Sequence, residues 1–250
     1  MSSRQDRKRI GLLLPSSNTT QEPEFTRIMP HGVTLHVARL PLRTVEPAST
    51  ARIVEDIETE SQKLADADVD AIVLAATAPS SRNGIGYDQE LIKRIETASG
   101  KPATTASTAL IQALKTLDAT HLVIGAPWSE ATNVTTAAFV EAHGFTVLAH
   151  QAMGHLSNLE IGDLKEQTAY EMGVAIDRPE ARALMLACGN WPTLGIVDRL
   201  ESALGKPVLT TNQVSLWAVL RLASYHAPVF GWGSLLREHM IEPVRIALPQ

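Results

Sequence analysis

Cys188 carries the most reactive side chain of this 250-residue chain, because it is the only cysteine. It ends an apolar, strand-like run and precedes Gly189, so we expect the thiol at the end of a strand beside free backbone N–H groups, which also favour a thiolate or a bound anion. A lone cysteine is often buried and inert. Its position here favours the other interpretation, a thiol that faces a cleft and acts as an acid or a nucleophile.

The chain reads as two copies of one unit, and the first copy has an alanine where the second has its cysteine. Three pairs of positions recur at a constant offset of 112 residues: Pro15 and Pro127, Gly32 and Gly144, Ala76 and Cys188. A Gly-Lys-Pro triplet follows in each copy. If the copies face each other, the Ala76 methyl group and the Cys188 thiol line opposite walls of one cleft.

Short apolar runs alternate with longer amphipathic stretches, which is the pattern of parallel βαβ units. Predicted strands are Ile10–Pro15, Val33–Arg39, Asp70–Ala75, Ala103–Thr105, His121–Ala126, Phe145–His150, Ala183–Ala187 and Val208–Thr210. Predicted helices are Ala51–Ala65, Gln89–Ala98, Thr108–Leu117, Thr132–His143, Asp163–Ala175, Leu194–Leu204 and Val214–Leu222. The sequence thus predicts an α/β fold of two parallel-sheet units, residues 1–118 and 119–250, related by a pseudo-twofold axis. This division leaves open that the C-terminal helix packs on the first unit.

Ligands of open α/β sheets bind outside the carboxyl ends of the strands. The site is therefore expected in the cleft between the two units, on the loops that follow the strands. These loops are Ser16–Thr20, Leu42–Pro47, Ala76–Gly86, Trp128–Asn133, Gly154–Asn158 and Cys188–Thr193.

The loop that begins at Ala76 contains hydroxyls and backbone donors but no general base. Such Ser/Thr/Gly loops are usually ordinary turns. Its symmetric relation to Cys188 favours an anion cradle instead, formed by the hydroxyls of Thr77 and Ser80 with the N–H groups of residues 77 and 78. In the loop after the first strand, Asn18 is interpreted as a donor to a substrate carboxylate.

Several classes of function are disfavoured by composition. The net charge of −5 is spread along the chain, which argues against a nucleic-acid surface, and no apolar run approaches the roughly 20 residues that cross a bilayer. The eight histidines form no i+3 or i+4 pair and join no acidic cluster, so neither a metal nor another cofactor is expected. A polar N-terminus and a single cysteine fit a reducing cytoplasm.

Longer motifs resemble a known family. The segments are Gly11–Phe25, the stretch from Gly86 to Leu91, Ser157–Glu160, Leu186–Cys188, and Gly205-Lys-Pro with Thr211-Asn-Gln213. Together they resemble the aspartate/glutamate racemase superfamily, and within it the branch of maleate cis–trans isomerases and arylmalonate decarboxylases. The resemblance covers nearly the whole chain, and it also makes a homodimer plausible.

The resemblance implies particular roles for five residues. Maleate isomerases carry a thiol on both walls, at the positions of Ala76 and Cys188, so the first wall of this chain departs from the isomerase pattern. Family asparagines that hold substrate carboxylates correspond to Asn18 and Asn158, and a family tyrosine corresponds to Trp128. A small residue opposite one cysteine is what arylmalonate decarboxylases have.

One thiol restricts the chemistry. Racemisation through a planar carbanion needs proton exchange on both faces, which a thiol and a methyl group cannot supply. Decarboxylation of a malonate-type acid needs one acid and a donor-lined hole for the enediolate, and we favour it. Two alternatives stay open: maleate-to-fumarate isomerisation with Cys188 as nucleophile, and a dicarboxylate-binding protein that has lost catalysis. The predicted site comprises Cys188 as catalytic residue and, as substrate-binding residues, Asn18, Ala76, Thr77, Ala78, Ser80, Trp128, Asn158, Gly189 and Asn190.

Overall fold

The structure is a computed structural model that describes residues 7–42, 44 and 53–241. Within these residues, two four-stranded parallel sheets form the core, and their strand orders are equivalent: β2-β1-β3-β4 and β6-β5-β7-β8. The strands are β1 Lys8–Pro15, β2 Val33–Leu40, β3 Ala71–Leu74, β4 Ala103–Thr105, β5 His121–Ala126, β6 Thr146–Ala152, β7 Ala183–Leu186 and β8 Val208–Thr210. The predicted α/β fold of two parallel-sheet units is confirmed.

The inner strands β3 and β7 are buried along their whole length. Their sequences are continuous apolar runs because helices cover both faces of each sheet. The edge strands β2 and β6 are partly exposed and alternate more in burial. Among the described residues, no helix is long and apolar enough to cross a membrane.

Eleven helices surround the sheets in the described part of the chain. They are α1 Gln21–Ile28, α2 Ile57–Asp66, α3 Thr77–Ser81, α4 Tyr87–Ser99, α5 Ala106–Thr116, α6 Glu130–Ala142, α7 Asn158–Gly162, α8 Glu166–Ile176, α9 Val197–Leu204, α10 Thr211–Leu222 and α11 Ser234–Glu238. A 3₁₀ turn, Leu194–Ile196, leads into α9. Sequence periodicity missed α1 and the five-residue helices α3, α7 and α11, since such short segments complete hardly more than two turns. Residues 51 and 52 of the predicted helix Ala51–Ala65 lie outside the described residues.

The two halves repeat each other in detail around the Gly-Lys-Pro triplets. Gly100 and Gly205 both end a helix in the left-handed region with φ of 66°, where glycine is favoured. Thr105 and Thr210 then cap α5 and α10, each accepting a hydrogen bond from a backbone N–H three residues later. The two Gly-Lys-Pro triplets, which lie 105 residues apart, therefore mark a repeat of structure.

The halves are joined by packing and by hydrogen bonds. Helix α10 of the second half packs against α5 and against strand β3 of the first half. At the start of this helix, Thr211 Oγ1 lies 2.8 Å from the hydroxyl of Thr77. The relative position of the two strand ends is consequently fixed by polar contacts as well as by the apolar core.

Glu24 on α1 belongs to the first half, and its carboxyl group bonds to the second half. The residue is buried, with 6% of its surface exposed. Its Oε1 accepts hydrogen bonds from the N–H groups of Thr193 and Leu194, both at 3.2 Å, and its Oε2 accepts from Asn212 Nδ2 at 2.5 Å. Burial raises the pKa of Glu24 from 4.5 to about 7, although these donors act in the opposite sense.

This raised pKa predicts a pH-dependent stability. The folded protein holds the Glu24 proton more tightly than the unfolded chain, so the stabilisation is complete below pH 4.5 and is lost as the pH rises through 7. We expect the difference in unfolding free energy between wild type and Glu24→Gln to be about 3 kcal/mol larger at pH 5 than at pH 8. Urea unfolding at the two pH values measures it, and an equal difference at both would contradict the prediction.

Candidate active site

Cys188 lies two residues after the end of β7, at the carboxyl end of the second sheet, in a strained backbone conformation. Its φ is +130°, a region that side-chain-bearing residues rarely adopt. Its N–H donates to Thr211 Oγ1 at 3.0 Å, and its carbonyl oxygen accepts from the N–H of Trp191 at 3.3 Å. The turn therefore directs the thiol into the space between the two halves, where it lines a cavity.

The Cys188 thiol is protonated at neutral pH in this structure. Burial raises its pKa from 9.0 to about 12, and the nearby N–H groups of Asn190 and Trp191 act in the opposite direction without overcoming burial. The sequence indicated N–H groups that favour a thiolate, and those groups are present. Burial nevertheless outweighs them, so the thiol is suited to donate a proton rather than to attack as a thiolate.

Ala76 lies two residues after the end of the equivalent strand, β3, and lines the same cavity as Cys188. Its backbone is extended, with φ −137° and ψ 99°, so the strain at Cys188 has no counterpart on this wall. The next residues form helix α3 where the sequence predicted a loop. The N–H groups of Thr77 and Ala78, in the first turn of this helix, have no acceptor among the described residues.

The hydroxyls predicted for the anion cradle are already engaged. Thr77 Oγ1 lies 2.8 Å from Thr211 Oγ1. Ser80 Oγ lies 2.7 Å from both the Ala76 carbonyl oxygen and Ser107 Oγ, and Ser80 does not line the cavity. The structure thus gives Ser80 a role inside helix α3 and not the predicted contact with substrate, and it leaves backbone N–H groups as the donors of this wall.

The asparagines identified in the sequence lie around the cavity and are themselves held by hydrogen bonds. Asn18 Oδ1 accepts from the N–H groups of Thr20 and Gln21, both at 2.9 Å, and its Nδ2 donates to Gln21 Oε1. Asn158 Nδ2 donates to Ser17 Oγ at 2.9 Å. Each Nδ2 group has a second hydrogen, so each asparagine keeps a donor for a carboxylate.

Asn190 links the two halves beside the thiol. Its Oδ1 accepts from the N–H groups of Thr19 and Thr20 at 2.8 and 3.1 Å, and its Nδ2 donates to the carbonyl oxygen of Asn158 at 2.5 Å. These bonds use the side-chain oxygen and one of the two amide hydrogens. Asn190 therefore fixes the cavity walls against each other.

Gly189 and Trp128 complete the polar surroundings. A side chain at Gly189 would overlap Gln21, whose Cδ would lie 2.6 Å from the added Cβ, so glycine is required there. The N–H of Gly189 has no acceptor among the described residues. Trp128 is 2% exposed, and its Nε1 donor also has no partner in this part of the chain. An acceptor on a ligand would relieve this unsatisfied donor.

The cavity between the halves is small, with a volume of about 30 Å³. That is room for roughly one or two water molecules, so a dicarboxylic acid, the ligand expected from the sequence, would fit only if the walls separated. It is lined by Pro15, Asn18, Leu42, Ala75, Ala76, Thr77, Ala78, Pro79, Trp128, Asn158, Cys188, Gly189 and Asn190. The site residues predicted from the sequence, apart from Ser80, are all brought together here. Among the described residues, no group of three His, Cys, Asp or Glu side chains could hold a metal ion.

Sequence reasoning missed the residues that support this cavity from behind. Gln21, Thr211 and Asn212 are buried and bond to residues of the walls, whereas the buried Glu24 bonds to Asn212 and reaches the wall only through it; none of the four lines the cavity. Their segments stood out only as parts of family-like motifs. Nothing in their local sequence shows that α1 and α10 meet behind the Cys188 turn.

Known proteins are similar to this chain in sequence over nearly its full length. Maleate isomerase of Nocardia farcinica is 27% identical over 241 residues, which is 92% of this chain and 96% of that protein. Arylmalonate decarboxylase of Bordetella bronchiseptica is 23% identical, over 92% of this chain and 96% of that protein.

Solved structures show the same fold. Nocardia farcinica maleate cis–trans isomerase bound to TRIS superposes with a TM-score of 0.88 and 27% identity, covering 92% of this chain and 98% of that one. A variant of that enzyme, with a TM-score of 0.87, holds a covalently bound succinylcysteine intermediate.

A family model assigns the chain to one group. The model of the arylmalonate decarboxylase family matches residues 10–236, a span that contains both cavity walls and the cross-half contacts described above. Both kinds of relative are enzymes: maleate isomerase is an isomerase, and arylmalonate decarboxylase is a lyase. The protein is therefore an enzyme that belongs to the arylmalonate decarboxylase family.

Proposed function

We propose that the protein decarboxylates a small malonate-type dicarboxylic acid and that the Cys188 thiol protonates the resulting enediolate. The observation that carries this proposal is a buried, protonated thiol on one wall of the cavity with only the Ala76 methyl group opposite. A single acid is sufficient for decarboxylation. Exchange of a proton on both faces, as racemisation requires, would need a second acid or base.

The reaction balances with the groups at hand. The C–C bond to one carboxylate breaks, carbon dioxide leaves, and the electron pair stays on the α-carbon as an enediolate. Cys188 Sγ donates its proton to that carbon, and the thiolate regains a proton from water. General acid catalysis of this kind contributes about 10²- to 10⁴-fold in rate.

The cavity has an apolar part and a part with free N–H donors, and each part suits one carboxylate of the proposed substrate. Pro15, Leu42 and Ala75 provide apolar surface, against which a carboxylate is poorly solvated and from which neutral carbon dioxide leaves readily. The free N–H groups of Thr77, Ala78 and Gly189 can donate to the carboxylate that becomes the enediolate. Loss of one such donor raises a barrier by about 3 kcal/mol.

Maleate-to-fumarate isomerisation is the second candidate. It is favoured by the 27% identity to maleate isomerase and by the asparagines Asn18 and Asn158 beside the cavity. It requires Cys188 to add to the alkene as a thiolate, which its raised pKa opposes, and the Ala76 wall provides no thiol. We therefore rank it below decarboxylation.

One experiment separates these activities. Maleate and a panel of substituted malonates are incubated with the enzyme in D₂O and followed by proton NMR, with Cys188→Ala as the inactive control and Cys188→Ser as a weaker acid. We expect a monoacid deuterated at the α-carbon, and a rate at least 100-fold lower in Cys188→Ala. Fumarate without monoacid would replace the proposal by isomerisation. Saturable binding without turnover would indicate a binding protein.

Because Cys188 is protonated, we predict that the rate of decarboxylation hardly changes between neutral and alkaline pH. Because the raised pKa keeps the thiol protonated, kcat for decarboxylation should change less than twofold between pH 7 and pH 9. Catalysis by the thiolate would instead rise about tenfold per pH unit, in proportion to its fraction. Initial rates of monoacid formation at saturating substrate measure the difference, and a tenfold rise would contradict the role of Cys188 as acid.

A thiol on the first wall should restore two-sided chemistry. We expect Ala76→Cys to gain racemase or isomerase activity, since its sulfur would face Cys188 across the cavity. Ala78→Cys is the matched control, because it adds a thiol to the same wall at a position that is not equivalent to Cys188. Product chirality and fumarate formation are measured for both variants. A folded Ala76→Cys protein that gains neither would contradict the paired-wall arrangement.

A further inference from the structure

We propose that Glu24 is a positioning residue which, through Asn212, fixes the turn that carries Cys188 and Gly189. Glu24 and Asn212 act indirectly in this proposal, because neither of them lines the cavity. The effect on turnover rests on the proposed function, whereas the effect on the turn itself does not.

The Cys188 turn needs external support because its backbone is strained. A side-chain-bearing residue at φ +130° is unfavourable and persists only where surrounding contacts determine it. Two such contacts come from the start of helix α10: Thr211 Oγ1 accepts from the Cys188 N–H at 3.0 Å, and Asn212 Nδ2 donates to the Gly189 carbonyl oxygen at 3.1 Å.

Glu24 determines which way the Asn212 amide points. Asn212 Nδ2 donates to Glu24 Oε2 at 2.5 Å as well as to the Gly189 carbonyl oxygen, while its Oδ1 has no partner among the described residues. A flipped amide would place Oδ1 against two acceptors. An ionised carboxylate only accepts hydrogen bonds, so Glu24 holds the donor side of Asn212 towards the turn.

The other carboxylate oxygen of Glu24, Oε1, is held by two backbone donors. It accepts from the N–H groups of Thr193 and Leu194, which follow the same turn. A carboxylate buried in this way is unfavourable for folding, as its raised pKa shows. A buried carboxyl group at this position, behind the reactive thiol, is consistent with a function other than stability.

Substitution by glutamine isolates this role. Glu24→Gln keeps the shape of the side chain and an oxygen for Thr193 and Leu194, but it presents an NH₂ group to Asn212 Nδ2. Two donors then face each other, the Asn212 amide turns over, and the Gly189 carbonyl oxygen loses its donor.

A double-mutant cycle at pH 8, where Glu24 is mostly ionised, tests the connection. We expect kcat for the malonate-type substrate to fall at least tenfold in Glu24→Gln and in Asn212→Ala, with KM changed less than threefold. The double variant should be no worse than the more affected single variant. Glu201→Gln is the matched control, because Glu201 accepts from the N–H groups of Val208 and Ser234 away from the cavity, and it should retain kcat.

Alkylation of Cys188 by iodoacetamide provides a readout that is independent of turnover. The buried thiol reacts only when the turn opens, so we expect alkylation at least tenfold faster in Glu24→Gln and Asn212→Ala, at temperatures well below their melting points, and unchanged in Glu201→Gln. Losses in kcat that add in the double variant, or unchanged alkylation in both single variants, would overturn the proposal. Faster alkylation in a protein without decarboxylase activity would refute the proposed function and leave the positioning role standing.

Discussion

The strained turn at Cys188 is the feature on which the arrangement of this protein depends, because both halves of the chain must be in place to hold it. The first half supplies Thr20, whose hydroxyl donates to the Asn190 carbonyl oxygen at 2.8 Å. The second half supplies Thr211 and Asn212 from the start of α10. The reactive thiol is therefore a product of the interface, and neither half could present it alone.

Burial determines what this thiol can do. The N–H groups beside Cys188 would stabilise a thiolate at an exposed site, yet a cavity closed by Leu42 and Trp128 makes the charged form unfavourable. For the dicarboxylic acid proposed as substrate, the same closure would remove water from its carboxylates and strengthen every remaining donor. Acid strength and donor strength are thus set by one property of the cavity, its lack of solvent.

Much of the architecture could be predicted from the sequence because it depends on local patterns. The bounds of β4, β5 and β8 were predicted without error, since β4 and β8 each follow a Gly-Lys-Pro triplet and β5 is an apolar run between clear turns. The pairing of Ala76 with Cys188 followed from the repeat alone. Both residues lie on the cavity as expected.

Other features depend on contacts between distant segments and could not be read locally. The Ser80 hydroxyl bonds to Ser107, from a different helix, and this turned a predicted substrate donor into a helix contact. The burial of Glu24 depends on the packing of α1 against residues 193–212, which no local pattern shows. The protonated state of Cys188 likewise depends on how completely the two halves close over it.

The unequal backbones of the two walls have a stereochemical consequence. Ala76 is relaxed and extended whereas Cys188 is bent into the cavity, so the duplicated halves are no longer equivalent where the reaction takes place. For the decarboxylation proposed above, the planar intermediate receives its hydrogen from the Cys188 side only. A prochiral malonate would accordingly yield one enantiomer of the acid, and the handedness of that product is determined by which of two once-equivalent strand ends retains the sulfur.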